Sequence, residues 1–166
     1  MITLVLGGAR SGKSGFAERL AAESGGPVTY VATASVVGDP DFDERVRRHR
    51  ARRPVDWVTA EPGQDLVSWL SRDDGAGTVL VDSLGTWVAG ATDFHVDVAG
   101  LCQALVRRGG PAVLVSDEVG LGVHPSTGVG GRFRDALGEA NQAVSAVADR
   151  VFLVVAGRLL TLGEVI

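Results

Sequence analysis

The stretch Gly7-Gly8-Ala9-Arg10-Ser11-Gly12-Lys13-Ser14 follows directly on the apolar run Ile2–Leu6 and precedes a helical pattern of Phe16, Ala17, Leu20 and Ala21. It fits G-x-x-x-x-G-K-[ST], a loop that wraps nucleotide phosphates when it joins a strand to a helix. Glycines there let successive backbone N–H groups converge on phosphate oxygens. Lys13 supplies a mobile positive charge for the β- and γ-phosphates and Ser14 a hydroxyl for Mg²⁺. The helix that follows directs its positive end at the anion. A glycine-rich turn without a ligand is the alternative, disfavoured by the strand before it and the helix after it. The loop predicts that the chain binds a nucleoside triphosphate.

Outward from this loop, four more β-rich runs recur: Val28–Thr33, Thr78–Val81, Ala112–Ser116 and Val151–Val155. Each is apolar nearly throughout, as strands buried on both faces of a parallel sheet must be. Helical segments separate them. The clearest is Arg132–Ala148, where Phe133, Leu137, Ala140, Val144 and Val147 form one core-facing stripe. Ala156-Gly157 reads as a tight turn into Arg158–Leu162. The expected fold is α/β and P-loop NTPase-like: a mainly parallel sheet flanked by helices, ending in an antiparallel hairpin.

Composition bounds the rest. A chain of 166 residues with 45% hydrophobic and 22% charged residues predicts one globular domain over 1–166. A net charge of −4 argues against a general nucleic-acid binder. A single cysteine, Cys102, excludes an internal disulfide and a cysteine-built zinc site, and its neighbours Leu101 and Leu105 suggest a buried thiol. Met1 leads straight into the first strand, with no signal peptide, and Val151–Gly157 is far short of the ~20 residues a membrane span needs. The expectation is a soluble cytoplasmic protein.

Ligands of open α/β sheets collect at the carboxyl ends of the strands. Three such ends carry acids or hydroxyls: Thr33-Ala34-Ser35, Asp82-Ser83 and Asp117-Glu118. An Asp closing an apolar strand in a P-loop protein holds Mg²⁺, directly or through water; Asp82 and Asp117-Glu118 both qualify by position. Each also fits a helix N-cap or a turn. Asp82 is the preferred metal or nucleotide contact, and Glu118 follows as a substrate or metal contact.

Between Arg45 and Arg53 stand six arginines in nine residues, with Asp39-Pro40-Asp41 as a helix start and Pro54 as its stop. Val46 and Ala51 are the only apolar residues in the run, so core packing does not account for it. A charge run is ordinarily a solvated face. Like charges at helical spacing, however, destabilise a helix unless anions offset them, and the arginine fork suits phosphate oxygens. His49 lies among these arginines, which disfavour its protonated form. It is either an ordinary exposed histidine or a neutral nucleophile for phosphorus. His95 and His124 have no such surroundings.

Taken together, these residues resemble the bifunctional adenosylcobinamide kinase/adenosylcobinamide-phosphate guanylyltransferase family of cobalamin biosynthesis. The resemblance is carried by the P-loop, Tyr30-Val31-Ala32-Thr33, Arg45-Val46-x-x-His49-x-x-Arg52-Arg53-Pro54-x-x-Trp57 with Glu61, Glu118-Val119-Gly120-Leu121-Gly122-Val123-x-Pro125, and Arg132-Phe133-Arg134-Asp135-x-x-Gly138-x-x-Asn141-Gln142. It implies two reactions. A phosphoryl group passes from ATP or GTP to the terminal hydroxyl of adenosylcobinamide. GMP then passes from GTP to the resulting phosphate, giving adenosylcobinamide-GDP and pyrophosphate. It also implies that His49 carries GMP covalently, with Lys13 as the second catalytic residue. Implied GTP contacts are Gly7 to Ser14, Thr33, Ala34, Ser35, Arg50, Ala51, Arg52, Arg53, Glu61 and Asp82. Mg²⁺ would be held at Ser14 and Asp82, and the chain would form a homo-oligomer, a trimer by the same resemblance. Three departures stand out: Asp117 replaces an asparagine, Arg48 replaces the second histidine of some relatives, and the segment Gly90–Val98 is short.

Two other readings compete. One is a kinase of another small metabolite that uses the arginines only as a phosphate clamp. The other is a nucleotide-switched protein that docks on nucleic acid through them, against which the acidic balance and the lack of interleaved aromatics count.

Overall fold

Runs that are apolar at every position have no solvent face to offer, and here they lie side by side. The computed structural model describes residues 1–34 and 53–164. The expectations placed on Ser35, on a helix from Asp39, and on Arg45 to Arg52 with His49, Arg50 and Ala51 fall outside those residues. One seven-stranded sheet runs through the described part. Its strands are β1 (Ile2–Gly7), β2 (Val28–Ala32), β3 (Val58–Ala60), β4 (Thr78–Asp82), β5 (Ala112–Asp117), β6 (Arg150–Val155) and β7 (Arg158–Leu162). The spatial order is β3-β2-β4-β5-β1-β6-β7, parallel throughout except for the β6–β7 hairpin. That hairpin turns through Ala156 and Gly157, both at positive φ (51° and 75°), as a type I′ turn demands. The expected mainly parallel sheet with its antiparallel end is therefore what the chain forms. The unforeseen strand is β3, which has three residues and an exposed Val58, too little for a pattern to register.

Successive strand residues point to opposite faces, and the two faces are covered unequally. Leu4, Val31, Val81 and Leu114 point to the face that also buries α2 (Leu66–Arg72), α3 (Leu84–Gly90), α4 (Val98–Arg107) and α5 (Gly128–Val147). Val5, Tyr30, Leu80 and Val113 point the other way, where α1 (Lys13–Glu23) packs through Ala17 and Ala21. In α5 the predicted stripe is the packed one: Leu137, Ala140 and Val144 are fully buried, with Phe133 and Val147 at its ends. The helix starts at Gly128, before the predicted Arg132. Thr127 caps it by accepting the Gly130 N–H at 3.1 Å, which outweighs the poor propensity of three glycines. Cys102 is partly buried, and that burial raises its thiol pKa.

The edge of the sheet remote from the P-loop is tied by one buried cation. Arg108, with 1% of its side chain exposed, donates Nε to Asp73 at 2.9 Å, one terminal nitrogen to the Pro111 carbonyl at 2.7 Å, and the other to the Gly77 carbonyl. It thus stitches the entries to β4 and β5. Arg108→Ala strands a carboxylate and two carbonyls and is expected to lower the unfolding free energy by about 3 kcal/mol. Urea denaturation checks this; because the knot lies at the amino ends of the strands, nucleotide affinity of the folded variant should be unchanged.

Candidate active site

All the strand ends that carry chemistry finish in one row. Parallel register sets Ala32 beside Asp82, Gly7 beside Asp117, and Val31 beside Ala60, so the residues following β1 to β5 share the carboxyl edge. The P-loop, Thr33, Glu61, Asp82, Asp117 and Glu118 are brought to it from separate segments.

The P-loop is shaped by two left-handed residues, Arg10 at φ 57° and Gly12 at φ 97°, which turn the chain back into α1. Such reversals aim backbone N–H groups into a shared concavity. Gly7 admits no side chain: a Cβ would come within 2.5 Å of Ser11 Oγ and 2.7 Å of the Val154 carbonyl. Ser11, buried, closes the loop by donating its N–H to the Gly8 carbonyl at 3.2 Å and accepting the Gly157 N–H at 2.9 Å. Ser14 opens the first turn of α1 beside Lys13. Gly8, Ala9 and Arg10 face solvent. Lys13 donates Nζ to the Gly8 carbonyl at 3.2 Å and pairs with Asp117 Oδ1 at 2.7 Å.

Asp82 is oriented by Tyr30, whose hydroxyl donates to Oδ2 at 2.8 Å. Burial first, and then the Asp82 carboxylate, push the Tyr30 phenol well above its ordinary pKa, so it remains a donor. The Arg53 guanidinium lies over the same ring, 3.2 Å from its centroid, with a buried Nε that has no hydrogen-bond partner among the described residues. Thr33 is fully buried. Its hydroxyl donates to the Ser83 carbonyl at 2.6 Å, accepts the Ser83 N–H at 3.0 Å and meets the Thr86 hydroxyl at 2.6 Å. That knot fixes the end of β4 and the capping box of α3. Ala34 follows it, half-buried.

Glu118 folds its carboxylate over its own loop, accepting the N–H groups of Gly120 at 2.6 Å and Leu121 at 3.2 Å. Glu61 follows β3 and is exposed. The residue whose role pattern reading left open is Asp117. It meets the P-loop lysine because β5 is the neighbour of β1, and strand order is not written in any local motif. Asn141, deep in α5, donates Nδ2 to the Asp117 carbonyl at 3.1 Å.

For a divalent ion the donors at this edge are hard oxygens, the Ser14 hydroxyl and the Asp82 carboxylate, since the Asp117 carboxylate is engaged by Lys13. Among the described residues no three His, Cys, Asp or Glu side chains converge into a cage. Such sparse oxygen donors suit Mg²⁺, which keeps its waters and is bound largely through substrate phosphates. No helix among the described residues is long and apolar enough to cross a membrane.

Comparison with known proteins agrees with this arrangement. Solved structures that resemble the chain share its fold alone. The flagellar accessory protein FlaH from Methanocaldococcus jannaschii has a TM-score of 0.52 at 14% identity over 99% of this chain and 77% of its own. An ATPase of the type III secretion system of pathogenic bacteria has a TM-score of 0.57 at 12% identity over 92% of this chain and 50% of its own. Sequence relatives are nearer. The bifunctional adenosylcobalamin biosynthesis protein CobP of Pseudomonas aeruginosa is 42% identical, over 95% of this chain and 94% of its own. The bifunctional adenosylcobalamin biosynthesis protein CobU of Salmonella typhimurium is 36% identical, over 95% of this chain and 97% of its own. The family model for cobinamide kinase / cobinamide phosphate guanyltransferase matches residues 3–162. The chain therefore belongs to that family, and it is a bifunctional kinase and nucleotidyltransferase of cobalamin biosynthesis.

Proposed function

We propose that the site takes adenosylcobinamide as acceptor and ATP or GTP as phosphoryl donor, and then transfers GMP from GTP to adenosylcobinamide phosphate through a GMP–His49 intermediate. The observation that carries this reading is the shared carboxyl edge of β1, β4 and β5, where Asp117 pairs with the P-loop Lys13 and Asp82 ends the next strand but one.

In the first reaction the backbone N–H groups of Gly8 to Lys13 and the Lys13 ammonium bind the triphosphate tail. Ser14 and Asp82 would hold Mg²⁺, which would supply neutralisation of phosphate charge. Asp82, fixed by Tyr30, or Glu118 just after β5 orients the acceptor hydroxyl. Its oxygen forms the bond to the γ-phosphorus, the nucleoside diphosphate leaves, and the hydroxyl proton passes to the carboxylate. Glu118 contributes to the acceptor side through the loop that it caps.

In the second reaction a ring nitrogen of His49 forms a bond to the α-phosphorus of GTP while the bond to the bridging oxygen breaks and pyrophosphate departs. A phosphate oxygen of adenosylcobinamide phosphate then attacks the same phosphorus and restores the imidazole. Arg53, stacked on Tyr30, is a contact for the nucleotide, with Arg50, Ala51, Arg52, Glu61, Ala34 and Ser35 completing its surroundings, while the buried Thr33 shapes the site from behind. Two displacements replace one difficult transfer, which is the gain from covalent catalysis. The active chain is a cytoplasmic homo-oligomer that binds no nucleic acid.

The test is to incubate the protein with GTP labelled on the α-phosphate. An acid-labile, alkali-stable protein-bound label that adenosylcobinamide phosphate discharges is the expected result. Label that never becomes protein-bound, alongside γ-phosphoryl transfer to some alcohol, would establish the plain metabolite kinase instead.

A further inference from the structure

Lys13 does not wait for phosphate as an open charge. Its Nζ sits 2.7 Å from Asp117 Oδ1, and the two side chains are 12% and 34% exposed. Such a pair is partly shielded from water and stronger than one on an open surface. The two partners differ in freedom. Asp117 closes β5 opposite Gly7, and its carbonyl is held by Asn141. Its carboxylate is packed against α3 so closely that a Cβ on Gly85 would lie 2.5 Å from Oδ2. Lys13, by contrast, is a four-carbon arm that can swing.

We propose that Asp117 competes with the β- and γ-phosphates of the nucleotide for Lys13. Binding then proceeds by exchange of an internal ion pair, and the carboxylate left beside the phosphates makes tight binding depend on a divalent cation. The exchange follows from the charges. A triphosphate that reaches Lys13 also arrives next to a carboxylate that cannot retreat, and a divalent cation between like charges offsets their repulsion. An amide at the same position would accept from Lys13 weakly and repel nothing. The proposal rests on the P-loop being the triphosphate site.

The experiment compares the full chain with Asp117→Asn, binding the non-hydrolysable β,γ-imido analogue of GTP by calorimetry. In EDTA the variant is expected to bind about tenfold more tightly. In excess Mg²⁺ the two should agree within about twofold. GMP, which has no phosphate to reach Lys13, should differ within about twofold in either condition. Unchanged or weaker binding of the analogue in EDTA overturns the proposal. So does equal tightening of GMP, which would mark a general charge effect. Asp117→Ser, which also removes the carboxylate, decides the matter if the asparagine variant fails to fold. If the wild-type chain does not bind the analogue in either condition, the P-loop reading itself falls; if it binds and Asp117→Asn changes nothing, only the competition does.

Discussion

Lys13→Ala is expected to lower kcat/KM about a thousandfold in both the kinase and the guanylyl-transfer reactions. In the proposed site the lysine carries its charge to the phosphates, and both reactions build negative charge on a leaving phosphate that it must stabilise. Stability should barely move. The deletion leaves the Asp117 carboxylate without its ion pair but still 34% exposed to water, so the loss is about 1 kcal/mol, a few degrees in Tm. Lys13→Arg should not restore the rates, because the flat guanidinium is bulkier than the ammonium that fits between the Gly8 carbonyl and Asp117. Steady-state assays of the two half-reactions, with a thermal melt as control, check this. Losses under tenfold in both would remove Lys13 from the chemistry.

His49→Ala is expected to act on one reaction alone. Guanylyl transfer should fall by more than about a thousandfold and the acid-labile GMP adduct disappear, while phosphorylation of adenosylcobinamide stays within a few-fold of wild type. The asymmetry follows from the bonds made in the proposed mechanism: the phosphoryl acceptor is a substrate hydroxyl, whereas GMP rests on a protein atom between two displacements. Lys13→Ala and His49→Ala thus give crossed patterns, one variant impaired in both assays and the other in one. A persistent adduct in His49→Ala would move the nucleophile elsewhere.

Much of this was legible in the sequence because parallel strands advertise themselves. Ile2–Leu6 and Ala112–Ser116 are apolar at nearly every position since both faces are covered, and the observed strands begin at the same residues. A three-residue edge strand such as β3 carries no such imprint. What resists reading is adjacency. Nothing local says that Asp117 stands beside Gly7, or that Tyr30 reaches Asp82 from the neighbouring strand; both follow from the sheet order. Thr33 illustrates the converse. Its position after β2 suits a nucleotide contact, yet its hydroxyl is absorbed by Ser83 and Thr86 inside the protein. The P-loop, in contrast, needs only its own residues to be recognised, and only its partners are hidden.

Those partners arrive late. The strand that carries the P-loop lies between β5 and β6, and the inner wall of the loop is finished by the hydrogen bond from Gly157 to Ser11. As the chain leaves the ribosome, the nucleotide-binding segment is made long before the strands that enclose it. Residues 112–157 must be synthesised before its neighbours exist. Contacts so distant along the chain are slow to close, and the apolar segment Ile2–Leu6 stays exposed meanwhile. Nascent chains halted before β6 should therefore be prone to aggregation and unable to retain nucleotide, although every letter of the phosphate-binding motif is already present.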